Sequence, residues 1–234
     1  MSAKLIIPNL RVDQANAAGG CIEIGFPAVT GFTGFVHAVQ RRLRDQGHDV
    51  AFGGVAIIVA DHELLAGHPK LPPSRADHNK GKGGASILDS AHCHMQVSLI
   101  VEIQKGEMVM RDAAAKAVVQ DFLIGGRLCG GAIVSAPSEP AIADDDSDLA
   151  ETLRRLKISG VVLLDRHDVL VAAATDPLDT ILDAMEMHQD KAGGWHRRPG
   201  SDGGSPGWLV PVTVGYELIE EPKCRPTHRV PDGL

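Results

Sequence analysis

The clearest periodic signal lies at residues 92–103, where Val97, Leu99, Val101 and Ile103 alternate along the chain. Side chains two apart share one face of a strand, so this segment reads as a strand with one buried side. Residues 30–44 change the period. Phe32, Phe35, Val36, Val39 and Leu43 recur at helical spacing, with Thr30 or Thr33 placed to cap the start. The uncharged run 50–60 contains Gly53 and Gly54 and reads as a buried strand, while 4–7 and 21–26 are shorter strand candidates. Residues 107–123 are helical in pattern, and 125–131 (GGRLCGG) form a glycine-rich turn into a strand at 132–135. Further on, 149–156, 168–174 and 177–188 have helical patterns around a short strand at 161–164. Residues 192–206 are Gly-rich and read as loose, and 208–216 as a final strand.

The order strand, helix, strand, excursion, strand, helix, strand predicts an α+β fold with a ferredoxin-like core. The excursion, 61–90, holds Gly67, Pro69, Pro72, Pro73, Gly81, Gly83 and Gly84. A polar insertion this long within one domain is either functional or disordered. The expected organisation is a core at 1–136, an acidic linker at 137–150, and a partly helical C-terminal extension at 151–234 ending in a strand.

Composition narrows the class. The chain has 234 residues, 44% hydrophobic and only 3% aromatic, so the core must be mostly aliphatic. No run approaches the roughly 20 apolar residues of a membrane helix. The first residues are too short in apolar content for a signal-peptide core, which leads to the expectation of a cytoplasmic protein without a membrane partner. The four cysteines form no CxxC pair, so neither a disulfide framework nor a zinc ribbon is expected. The net charge of −7 looks unfavourable for binding a polyanion. Six acids fall between residues 138 and 151, however: Glu139, Asp144, Asp145, Asp146, Asp148 and Glu151. Without them the chain is nearly balanced, and local basic patches can then decide what it attracts.

Candidate chemistry is of the binding kind. On the 30–44 helix, His37, Arg41 and Arg44 stand at i, i+4 and i+7 opposite the apolar stripe, flanked by Gln40 and Arg42. That row can track phosphates, though a solvated helix face shows the same spacing. Residues 25–34 offer backbone N–H groups at a helix start, a natural anion site or simply a tight turn. GGRLCGG lacks the Lys-Ser/Thr of a nucleotide-binding P-loop, but its glycines let backbone and Arg127 approach a phosphate. The excursion contributes Lys70, Arg75, Lys80 and Lys82 with His62, His68 and His78, and no aromatic residue for base stacking. His92-Cys93-His94 invites a metal reading, but Cys93 would point to the opposite face and no third ligand follows at matching spacing.

The most specific passage is Gly25-Phe26-Pro27 followed by Thr30-Gly31-Phe32-Thr33-Gly34-Phe35-Val36-His37-Ala38-Val39-Gln40-Arg41-Arg42-Leu43. It resembles the first helix region of the Csy-two (Cas-five type) subunit of the type I-F CRISPR surveillance complex. Three further passages agree in order: Asn16-Ala17 after an opening strand ending in Pro8, the strand His94-Met95-Gln96-Val97-Ser98-Leu99, and Pro206-Gly207-Trp208-Leu209-Val210-Pro211 before Gly215-Tyr216. GGRLCGG sits where this superfamily carries a glycine loop, and the likeness spans residues 5–216.

The resemblance implies a ferredoxin-like (RRM-like) core with an inserted thumb. It implies a non-catalytic subunit, without cofactor or metal, in a ribonucleoprotein of antiviral defence. Its partners would be the 5′ handle of the guide RNA (crRNA), the large subunit and the backbone filament subunit, with target DNA reached through the complex. RNA contacts are then expected at Asn16, Thr30, Thr33, His37, Gln40, Arg41, Arg44, Lys70, Arg75, Lys80, Lys82 and Arg127. The alternative on the same core is a metal-independent endoribonuclease that processes CRISPR repeat RNA, with His37 or His92 as general base. A third reading is a scaffold or metal-binding module with an acidic tether.

Overall fold

The computed structural model describes residues 2–18, 25–65 and 91–165, together with 171, 179, 187–189 and 195–197. Strand β1 (Lys4–Asn16) is much longer than the 4–7 strand expected, because Pro8 does not end it. β1 pairs with β3 (His92–Lys105), and the register shifts between Ile7 and Leu10 and again between Val12 and Ala15. Asn9 and Gln14 take positive φ, 50° and 59°, at those two bulges. Each extra residue reverses which face the following side chains point to. Leu5 and Ile7, then Leu10 and Val12, then Ala15 are therefore all buried on one side. The other edge of β1 changes partner at the same place, from β6 (Ala141–Ala143) at Lys4–Ile6 to β5 (Gly131–Ser135) at Arg11–Asp13. Pro8 has no N–H to donate and lies where neither partner needs one.

On the far side of β3 lies β2 (Ala51–Leu64), which runs four residues beyond the expected end and is edged by β7 (Val161–Val162). β4 (Arg127–Leu128) pairs with β5. The full order is β4-β5-β1-β3-β2-β7, with β6 beside β1, and every pair is antiparallel. GGRLCGG is thus the hairpin β4–β5, turned by Cys129 and Gly130 at φ 51° and 81°. Two successive positive values mark the turn type whose twist suits a two-residue hairpin.

Helix α1 (Val29–Asp45) buries Phe32, Phe35, Val36, Val39 and Leu43 against the sheet. The pattern at 107–123 resolves into α2 (Glu107–Arg111) and α3 (Ala113–Leu123). The break is Asp112, whose backbone is extended and whose carboxylate accepts the Ala114 N–H to cap α3. Val119 and Leu123 of α3 join α1 in the same core, and Phe35 meets Phe122 at 5.6 Å between ring centres.

The stretch 137–150, expected as an acidic linker, contains β6 and the start of helix α4 (Asp146–Arg155). Asp144 pairs with Arg111, and Asp146 with Lys4 at 2.9 Å. Asp145 caps α4 by accepting the Asp148 N–H at 2.9 Å, and that bond holds its carboxyl below the usual carboxylate range. At the other end of α4, Leu156 C=O accepts from Asn9 Nδ2 at 3.1 Å. The helix therefore lies along β1 from Lys4 to Asn9, where Ile6 and Thr152 are buried on the face opposite the main core.

A separate pair, β8 (Met187–Gln189) and β9 (Trp195–Arg197), replaces the end of the helix expected at 177–188 and part of the loose segment 192–206. The remaining expectations at 66–90 and 208–216, residues 21–24 of 21–26, and all of 168–174 but Val171 lie outside the described residues.

Two helical glycines separate propensity from packing. A Cβ on Gly34 would meet nothing within 4 Å, whereas one on Gly31 would sit 2.7 Å from Cys129 Sγ. Gly34→Ala should raise the unfolding free energy by about 0.5–1 kcal/mol, measured by urea denaturation followed by circular dichroism. Gly31→Ala should lower it in the same assay despite the identical gain in helix propensity.

Candidate nucleic-acid interface

Three elements converge at the start of α1. Gly25 N–H donates to Ala17 C=O at 2.8 Å, which ties the helix entry to the end of β1. Phe26 stacks on Phe32 with ring centres 5.6 Å apart and planes 2° from parallel. His62 from β2 tilts against Phe26 at 5.7 Å, and its Nε2 lies 3.1 Å from Gly25 O. The β4–β5 hairpin closes the same end, since Asn16 N–H donates to Cys129 C=O at 2.9 Å and Cys129 packs on Gly31.

This geometry places Asn16, Thr30, Thr33 and Arg127 at one end of the fold, all exposed. The expected cap does not form. Ala28 is the N-cap, it makes no side-chain bond, and Thr33 Oγ1 instead donates to Thr30 C=O at 3.1 Å. The N-cap lies two residues before Thr30, and the first turn carries no acidic residue. The positive end of the helix dipole is thus left without an internal counter-charge in that turn. Asn16 Oδ1 accepts the Ala18 N–H at 3.0 Å, and Arg127 Nη1 donates to Gly130 C=O at 3.4 Å.

Farther along α1, His37 and Arg41 are exposed one turn apart, with Arg42 beside them. Arg44 is partly committed, because its Nε donates to Val50 C=O at 2.8 Å. Gln40 is not a surface flank. It is 8% exposed and its Oε1 accepts the Phe52 N–H at 2.6 Å, which satisfies a backbone donor on the outer edge of β2. Between helix and strand runs a groove of about 180 Å³, lined by Thr33, Val36, His37 and Gln40 on one side and Phe52, Gly53 and Val55 on the other. The strand side of this groove escapes sequence reasoning, although the Gly53-Gly54 pair inside a strand is a signal of an irregular edge. Lys70, Arg75, Lys80 and Lys82 lie outside the described residues.

The part of the sheet beyond α4 that no described residue covers has mixed charge. Arg11 and His94 both lie near Asp13 Oδ1, at 3.8 and 3.3 Å, and in the register between β2 and β3 Asp61 faces Gln96 and Glu63 faces His94. A polyanion would meet three carboxylates there, so the α1 end is the better interface. Among the described residues, no group of three or more His, Cys, Asp or Glu is placed to hold a metal ion, and no helix is long and apolar enough to cross a membrane.

The family profile described as CRISPR-associated protein (Cas_Csy2) matches residues 5–229. The chain belongs to this Csy2 family. It is also similar to CRISPR-associated protein Csy2 of Pseudomonas aeruginosa (strain UCBPP-PA14), at 28% identity over 257 aligned positions covering 93% of this chain and 77% of that relative. The match takes in β1, all of α1, the hairpin and the residues on both sides of the groove.

Two thiols lie beneath this end of the Csy2 family fold. Burial pushes Cys93 up to about 11, and burial together with the nearby Cys93 pushes Cys129 up to about 12. Both therefore stay protonated and poorly nucleophilic at neutral pH. A raised folded pKa gives stability that is complete below the unfolded value near 9 and is lost as pH climbs toward 11 and 12. In a Cys21→Ser/Cys224→Ser background, a chromogenic disulfide reagent at pH 8 should label neither thiol until denaturant is added. Stability to urea should fall between pH 9 and 11.

Proposed function

We propose that this chain is a non-catalytic subunit of a type I-F CRISPR RNA-guided surveillance complex, which holds the 5′ handle of the guide RNA and pairs with the large subunit. The observation that carries the reading is the α1 end. An uncapped helix start, exposed His37 and Arg41 and the hairpin with Arg127 occur together in a member of the Csy2 family. Cations and helix-start N–H groups contact phosphates without reading sequence, which suits a protein whose specificity comes from guide pairing. The segment β5-β1-β3-β2, crossed by α1 and α3, supports a ferredoxin-like core. The 66–90 insertion would be the thumb, and the cytoplasm the site of action.

The protein contributes binding and no chemistry in this reading. His37 serves here as a polar lining residue of the groove and not as a general base. Guide binding by phosphate neutralisation releases counterions, so retention should weaken with salt.

The test is co-expression of the tagged chain with the neighbouring genes and a CRISPR array, followed by sequencing of bound RNA. Uniform guides sharing one 5′ end, recovered with large and filament subunits, are the expected result. Clean protein without guide or partners would overturn the proposal. Arg41→Ala/Arg42→Ala should retain less guide, with the slope of log affinity against log salt shallower by about 0.7 for each phosphate that the variant no longer neutralises.

A further inference from the structure

The groove between α1 and β2 has more chemistry than a phosphate track requires. Its lining is apolar at Val36, Phe52 and Val55 and polar at Thr33, His37 and Gln40, with Gln40 among the most buried of them. The Gln40 carboxamide is fixed in orientation. Oε1 is committed to Phe52 N–H, so Nε2 is the group it can offer to a ligand, and only as a donor. The Thr33 hydroxyl proton goes to Thr30 C=O, which leaves its oxygen as an acceptor. At about 180 Å³ the space is below the roughly 300–1,000 Å³ of pockets for drug-sized ligands. It has room for a single ring system. Arg41 and Arg42 follow on the exposed side of the same helix, whose sole carboxylate is its last residue, Asp45.

We infer that this groove takes one unstacked base of the bound RNA, with a carbonyl of the base on Gln40 Nε2 and the adjoining phosphate toward Arg41. The inference rests on the RNA-binding reading above and gives it a recognition subsite. A base has flat apolar faces and a polar edge, and the groove lining offers both kinds of group. Single-stranded RNA is read by splaying such bases into protein pockets. An apolar side chain from a protein partner would suit Val36, Phe52 and Val55 but leave the Gln40 donor desolvated and unpaired, which is unfavourable. On the strand side the Glu102 carboxylate accepts from Gly54 N–H at 3.4 Å, so a phosphate is favoured on the helix side, toward Arg41.

The experiment assembles the complex from the full chain and its partner subunits around synthetic guides, each carrying one abasic site in the 5′ region. In the parent protein one position should be sensitive, with its abasic guide retained about tenfold less, the factor that one well-made hydrogen bond in a desolvated site supplies. Gln40→Glu keeps an acceptor for Phe52 N–H but removes the donor, so the intact guide should weaken and the positional sensitivity disappear. Thr33→Phe, from an exposed position, fills the space while leaving the Gln40–Phe52 hydrogen bond its own residues, and should have the same effect if Gln40→Glu fails to fold. Equal retention of every abasic guide, or a sensitive position that persists in both variants, would overturn the base pocket while leaving guide binding intact. Failure of the parent protein to retain any guide would overturn the RNA-binding reading itself.

Discussion

The bulge at Pro8–Asn9 is the constraint on which the rest of the fold depends. A strand as long as β1 cannot keep one face buried through a change of neighbours unless its register is reset. The extra residue does so, carrying burial from Leu5 and Ile7 to Leu10 and Val12. It also removes the Asn9 N–H from the ladder, and Ser98 Oγ accepts it at 2.9 Å. The Asn9 side chain then reaches Leu156 and docks the end of α4. One irregular residue thus joins the helix-covered face of the sheet to the opposite one.

The placement of charge follows from that docking. The acidic stretch supplies the cap of α4 and the ion pairs to Lys4 and Arg111. Each exposed pair contributes little alone. Together with β6 they hold the carboxylates around Lys4 and Arg111, while α1 carries Arg41, Arg42 and Arg44 with a single acid at its end. A chain of net charge −7 can in this way present a basic helix face to an anionic partner.

Much of this was legible in the sequence where one periodicity dominates. The stripe Phe32, Phe35, Val39 and Leu43 marked α1, and the alternation through Ile103 marked β3, because each element buries one face throughout. What escaped was set by single residues acting against the local pattern. Pro8 reads as a strand end but sits at a bulge, and Asp112 lies inside a helical pattern but caps a second helix. Gln40 looked like part of the exposed row because its position borders the polar face, yet the edge of β2 has a backbone donor that only a side chain there can meet. The groove was invisible for the same reason, since half of it comes from Phe52, Gly53 and Val55, a strand away from the helix that drew attention.

The ends of the 66–90 insertion leave the sheet already paired, with Leu64 opposite Cys93 and Leu65 N–H donating to His92 C=O at 2.8 Å. The two strands close the base of the insertion whatever lies between them. Lengthening a chain segment between fixed ends costs only about 0.6 kcal/mol of closure entropy per doubling. The insertion can therefore change in length and sequence between lineages, or be exchanged by an engineer, at little cost to the core.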